Sequence, residues 1–136
     1  MSRFVGDGLP DSLVAALGVD QAIARADRAI VICTIDEHGW GHPAMVSSLE
    51  LVARDARNVR FALHAGSRST RNLRANGRLT LIVVDAGSLY YIKGDVLERT
   101  PSLATAPALA GFNLRVARQM PVGNDHLRLV HELLVD

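Results

Sequence analysis

Apolar and β-branched residues recur along this chain in short runs, alternating with polar ones and cut by turn-forming residues. Arg28–Asp36, rich in Ile and Val, predicts a strand that closes in the turn Asp36-Glu37-His38-Gly39. His42–Arg54 is long for one strand and mixes apolar residues with Ser47, Ser48 and Glu50, ahead of a turn at Asp55–Asn58. In Val59–His64, the residues Val59, Phe61 and Leu63 alternate with Arg60, Ala62 and His64, the period of a half-buried strand. Ala65–Thr70 breaks that pattern and leads into a short helix over about Thr70–Asn76, with Gly77 where a C-terminal glycine is expected. Leu79–Val84 is unbroken in its apolar and β-branched character and predicts a strand buried on both faces. Asp85-Ala86-Gly87-Ser88 turns it back into Leu89–Glu98, where Gly94 marks a bulge or bend. Beyond a loop at Pro101–Pro107, Phe112–Met120 predicts a sixth strand, whose alternation fades at Ala117 and Arg118.

The ends read as helices. Pro10-Asp11-Ser12 opens a helical pattern that runs to about Ala26, with Asp11 or Ser12 as N-cap and Gly18 able to split it. After the turn Pro121–Asn124, the residues Leu127, Val130, Leu133 and Leu134 have helical spacing. Six strands, a helix after the third and small terminal helices predict an all-β fold, a barrel with accessory helices. A parallel α/β fold is disfavoured because long helices do not alternate with the strands. With no internal repeat or linker, one domain is expected over 1–136: a helical segment 1–26, a barrel 27–120 and a C-terminal helix 121–136.

Composition narrows the partners. The 136 residues are 49% apolar and 21% charged, ordinary values for a globular domain. A net charge of +1 makes the protein no general magnet for nucleic acid or anionic membrane. The single cysteine, Cys33, lies in an apolar run and reads as a strand residue. Met1–Pro10 lacks the pattern of a signal peptide, and no apolar stretch is long enough to span a bilayer, so a cytoplasmic setting is expected.

The segment richest in chemistry is Gly66-Ser67-Arg68-Ser69-Thr70-Arg71-Asn72-Leu73. Small hydroxyl residues precede a helix whose first N–H groups carry partial positive charge, an arrangement suited to a phosphate. Arg68 and Arg71 lie in or beside the first turn and can add charge-assisted bonds to the same anion. The same residues also serve as plain helix capping and a solvated helix face, and spacing alone does not separate these uses.

Extended to Leu79, this segment resembles the phosphate-binding turn and following helix of the pyridoxamine 5′-phosphate oxidase family of flavin-binding split barrels. Thr34–Gly39 with His42-Pro43 resembles that family's first hairpin, and Lys93–Glu98 its glycine-containing strand. The likeness runs from about Ile30 to Glu98, with the pieces in the family's order. It implies a six-stranded antiparallel split β-barrel of the FMN-binding type, acting as a homodimer with the flavin at the seam. Arg68, Ser69 and Thr70 would hold the flavin phosphate, with Ser67 assisting. Met45, Val46, Ser47 and Ser48 would run along the ring and offer it backbone groups. Leu63 and His64 would flank the ribityl chain, and the strand from Leu89-Tyr90-Tyr91 would approach from the partner subunit.

The departures from the family pattern matter too. Many members carry a lysine where Ser69 stands, and Arg71 is close enough to the same helix end to replace it. The oxidase proper has an arginine and a lysine near the places of Val46 and Leu51, and a C-terminal substrate-binding segment beyond the place of Asp136. Oxidation of pyridoxamine phosphate itself is therefore not expected. An FMN-dependent oxidoreductase or flavin-binding protein acting on a small-molecule substrate is expected instead. Its rivals are a deazaflavin-dependent reductase of the same fold, and a non-catalytic haem- or flavin-binding sensor or carrier with His42 or His64 on the iron.

Other chemistries rank lower. His38 and His42 are separated by Gly39 and Gly41, so they do not share a helix face, and His126 and His131 lack a supporting carboxylate pattern. No Gly-x-Ser-x-Gly elbow marks a serine hydrolase. The arginine-rich stretch Arg54–Arg78 suggests a nucleic-acid module, yet aromatics are only 4% of the chain and Phe61 alone lies within it. Nucleic acid, membrane and a resident metal are not expected as partners. Trp40, flanked by two glycines, is equally suited to a ligand, a subunit contact or a cap on the barrel end.

Overall fold

The computed structural model describes residues 8–25, 28–85, 87–123 and 131–135. Seven antiparallel strands form one sheet: β1 (Ala29–Ile35), β2 (Gly41–Ser47), β3 (Leu51–Ala53), β4 (Asn58–His64), β5 (Arg78–Asp85), β6 (Ser88–Thr100) and β7 (Leu109–Gly123). Their order is β2-β1-β5-β6-β7-β4-β3. The two edge strands, β2 and β3, are joined by a single 3-10 turn at Ser48–Glu50, so the sheet must curl until its edges approach. The result is a curled half-barrel with few helices.

The seventh strand arises within His42–Arg54. That run breaks at Ser48, whose buried hydroxyl donates to the Ala22 carbonyl at 2.8 Å, while Ser47 and Glu50 close a capping box around the turn. Polar residues that interrupt an apolar run thus end one strand and start another.

Side chains of alternate residues point into the curl. Ile30 and Ile32 of β1, Val59, Phe61 and Leu63 of β4, Leu79, Leu81 and Val83 of β5, Ile92 of β6 and Phe112 and Leu114 of β7 form one core. Phe61 and Phe112 stack inside it with centroids 5.3 Å apart. For β5 the expected two-sided burial is corrected. Leu79, Leu81 and Val83 face the core, but Val84 is exposed and Thr80 and Ile82 are half-buried on the outer face.

The fading alternation near Ala117 has a structural cause. Lys93 pairs with Arg118 and Gly94 with Val116, so Ala117 is an extra residue, a β-bulge on β7. Gly94 sits opposite, where a Cβ would run into the Arg115 carbonyl oxygen, and only glycine permits that approach. Past the bulge, β7 continues through the predicted turn at Pro121 to Gly123, paired with β6 all the way.

Helix α1 (Asp11–Ala16) places Leu13 in the core, with Leu9 and Leu17 four residues to either side on the same face. The Leu17 carbonyl accepts from the Ala53 N–H at 2.9 Å. Neither Asp11 nor Ser12 caps this helix, contrary to expectation. Pro10 is the N-cap, and its carbonyl takes the Leu13 and Val14 N–H groups at 3.0 and 3.1 Å. The pattern does split at Gly18, followed by a 3-10 turn at Val19–Gln21. Residues 131–135 are helical and exposed. Ala26, Ala86 of the β5–β6 turn, and the predicted helical residues from Asn124 to Val130, His126 among them, lie outside the described residues. No helix of the described residues is long and apolar enough to cross a membrane.

Candidate functional site

The second helix, α2 (Arg68–Asn76), starts directly after β4 in a turn built by hydroxyl groups. Ser67 is the N-cap: its Oγ accepts from the Thr70 N–H at 3.1 Å and hydrogen-bonds the Thr70 hydroxyl. Thr70 Oγ1 donates to the His64 carbonyl at 2.8 Å, and the Ser67 N–H reaches the same carbonyl at 3.0 Å. The His64 ring helps close the turn, because its Nδ1 accepts from the Gly66 N–H at 3.3 Å. In an α-helix the first N–H groups have no carbonyl behind them, and Arg68 and Ser69 occupy those positions.

The far end of α2 is anchored as firmly. Gly77 takes the left-handed conformation (φ 67°), and its N–H returns to the Leu73 carbonyl. Asn72 is buried and donates to Thr34 Oγ1 at 3.0 Å, Asn76 donates to the Ile35 carbonyl at 2.8 Å, and Arg74 pairs with Glu98 at 2.6 Å. These bonds tie the helix to β1 on one side and β6 on the other. The turn is therefore held by the sheet, which suits a site that must meet a ligand without rearranging.

Positive charge runs along α2. Arg68, Arg71 and Arg74 line a cavity of ≈ 480 Å³ between α2 and the β1–β2 hairpin, with Glu37 on the opposite wall. In that hairpin Asp36 Oδ1 accepts the His38 and Trp40 N–H groups, both at 2.9 Å. These bonds, the Trp40 N–H foremost, hold the Asp36 carboxyl below its ordinary pKa against a smaller desolvation effect, and the nearby Arg68 charge adds to the lowering.

The named residues fall into distinct places. Ser67, Arg68, Ser69, Thr70 and Arg71 share the helix start; Arg68 and Arg71 are exposed, while Ser69 and Thr70 are buried beneath it. His64 is exposed beside the turn, but Leu63 points into the core. On β2, Met45 is 73% exposed on the outer face and Val46 lies in the core. Ser47 caps the 48–50 turn and Ser48 is buried on Ala22. β2 is an edge strand, so half of its backbone groups point away from β1 and remain open to a ligand. Trp40 stands at the hairpin tip, 73% exposed.

This architecture has known counterparts. A pyridoxamine 5′-phosphate oxidase-like protein of Lactobacillus delbrueckii superposes with a TM-score of 0.69 at 10% identity, over 88% of this chain and 98% of that one. PhzG from Burkholderia lata 383 gives 0.63 at 16% identity, over 85% and 79%. The chain has the split-barrel fold of the pyridoxamine 5′-phosphate oxidase-like proteins. An F420 reductase shares this split barrel with a TM-score of 0.56 at 15% identity, over 71% of this chain and 93% of that one. By sequence, the uncharacterized protein YclD of Bacillus subtilis (strain 168) is 32% identical over 69 residues, 51% of this chain. The match spans 45% of that relative's length. No family model matches the chain.

Two features of the split barrel were not foreseen from the sequence. Arg25 forms a half-buried ion pair with Asp85 at 2.7 Å, tying the segment after α1 to the end of β5. Arg60, on the outward side of β4, has its Nε buried without a hydrogen-bond partner among the described residues. Strand alternation placed Arg60 outward; the cavity it shares with Arg99, Leu103 and Leu109 is a tertiary feature that alternation does not reach.

Proposed function

We propose that this split barrel binds FMN and acts as a flavin-dependent oxidoreductase on a small-molecule substrate, with the cofactor at the seam of a homodimer. One observation carries the reading: a rigid helix start at Ser67 whose leading N–H groups and two exposed arginines, Arg68 and Arg71, can converge on one anion. The residues fit a flavin phosphate in kind. Backbone donors supply the cradle, Ser67 and Thr70 keep the turn in shape, and the arginines supply charge without a lysine at Ser69. The open edge of β2 at Met45 and Val46 offers backbone groups for the ring, with Ser47 and Ser48 following where the strand ends. When bound, the flavin would take or give the hydride, and this chain's residues would orient it and exclude water. The outer face of β1, β2, β5 and β6, with Met45 and Val84 exposed and Val31, Ile82 and Tyr91 half-buried, is apolar enough to receive a second copy.

The test is a visible spectrum of the purified protein before and after FMN addition and removal of the excess. A retained, shifted flavin band near one equivalent is expected. Arg68→Ala should weaken FMN about tenfold to a hundredfold, the range of a lost charge-assisted bond. Unchanged affinity in that variant would sink the phosphate-turn reading.

A deazaflavin is the second reading, favoured by the third arginine, Arg74, on the same cavity wall as Arg68 and Arg71. A longer acidic cofactor would engage that row, and competition between FMN and the deazaflavin separates the two. Haem would instead give a Soret band on titration. His42 is half-buried on β2 and His64 is exposed at the end of β4, and each is the ligand to replace in that event.

A further inference from the structure

A second cavity, of ≈ 680 Å³, opens beside the 48–50 turn. Its apolar wall comes from Leu49, Leu51, Phe61, Leu103, Leu109 and Phe112. Arg60 and Arg99 stand between it and an adjoining, more polar cavity of ≈ 530 Å³ that Arg54 also lines. Arg60 carries the buried Nε that no described group satisfies. Removal from water lowers its pKa below the ordinary arginine value, the Arg99 and Arg54 charges add to this, and Asp55 opposes it.

The nearby acids are engaged elsewhere. Asp55 accepts the Arg57 and Asn58 N–H groups and the Asn58 side chain, and Glu50 accepts the Ser47 N–H. Arg99 is itself the extra residue of a bulge, since Glu98 pairs with Phe112 and Thr100 with Gly111. Bulges redirect a side chain and recur beside functional sites. Leu103 of the loop after β6 packs closely on Gly111 of β7, where a Cβ would meet Leu103 Cδ2 at 3.1 Å.

We propose that this cavity binds a small organic oxyanion, a carboxylate or phosphate on a flat apolar body. Arg60 and Arg99 hold the charged group, and the leucines and phenylalanines enclose the body. The volume is in the range of organic-ligand sites, and a guanidinium fork matches both head groups. Ser48, on the segment assigned to the flavin ring, lines the same cavity. Its service as a substrate site therefore rests on the flavin reading, whereas binding of the anion does not.

The test is calorimetric titration of 1-naphthoate, 1-naphthyl phosphate and the neutral 1-naphthamide into the full chain. At least one anion should bind saturably, with the amide about tenfold weaker or more. Arg60→Gln should weaken the anion by about tenfold and leave the amide unchanged. Arg99→Gln, at an exposed position, should do the same. The tighter of the two anions names the head group. No binding by either anion, equal binding of the amide, or indifference to both substitutions would overturn the proposal. A protein that retains no FMN yet binds an anion through Arg60 and Arg99 rejects the flavin reading and supports this one.

Discussion

The middle and the edges of this sheet are written in the same alternation of apolar and polar residues, yet they serve different ends. In the middle, β5, β6 and β7 run for 8, 13 and 15 residues, and Leu81, Ile92 and Leu114 are wholly buried. Leu79–Ile82 of β5, Ser88–Asp95 of β6 and Gly111–Arg115 of β7 each have a neighbouring strand on both sides. At the edges, β2 and β3 have 7 and 3 residues, and the chain between them turns on Ser47, Ser48 and Glu50. The candidate sites gather where the ladder stops: at the open side of β2, at the Ser67 turn after β4, and around Arg60 beside β3. A long ladder stabilises, but it leaves no backbone group for a ligand. A broken ladder leaves open groups, and side-chain hydroxyls must then hold the chain in place.

That contrast can be broken most forcefully in the middle. Gly94→Val should cost about 3 kcal/mol or more, since the new side chain would collide with the Arg115 carbonyl and crowd Leu114 Cδ1, 2.9 Å from its Cβ. Chemical denaturation measures it, and an unchanged midpoint would mean the β6–β7 approach is not tight. Ser67→Ala tests the edge. Loss of the N-cap should cost about 1 kcal/mol of stability, together with a fall in FMN affinity. A stability loss without any change in affinity would make the turn structural only.

The smallest effect lies at the β1–β2 hairpin. Asp36 has its pKa lowered in the folded state, so its carboxylate stabilises the fold above the unfolded value of 3.8. That contribution is lost as pH falls through the lower folded value. The stability difference between wild type and Asp36→Asn should therefore be flat near neutrality and shrink on acidification below about pH 4. A difference that persisted unchanged at lower pH would remove the hairpin carboxylate from the account.

Much of this was legible in the chain. Alternation in Val59–His64 located a strand and its inward face, and Gly77 marked the end of α2 to the residue. The hydroxyl-rich turn at Ser67 was visible because capping is local: a side chain bonds an N–H three residues on. The N-cap of α1 was misread for the same local reason, since Asp11 and Ser12 are good caps wherever the chain enters at their position, and here it enters one residue earlier, at Pro10. The break at Ser48 was hinted at by its polarity, but its partner is the carbonyl of Ala22, far away in the chain.

Short-range chemistry was thus determined by the sequence alone: the inward face of Val59–His64, the glycine that ends α2 and the cationic start of that helix, which begins at Arg68, two residues before the expected Thr70. Tertiary structure decided whatever depends on pairing between distant segments. The bulges at Ala117 and Arg99 exist only relative to the strand opposite, so no period in one segment reveals them. The same holds for the cavity that Arg60 shares with Arg99 and Leu103, residues about forty positions further along the chain.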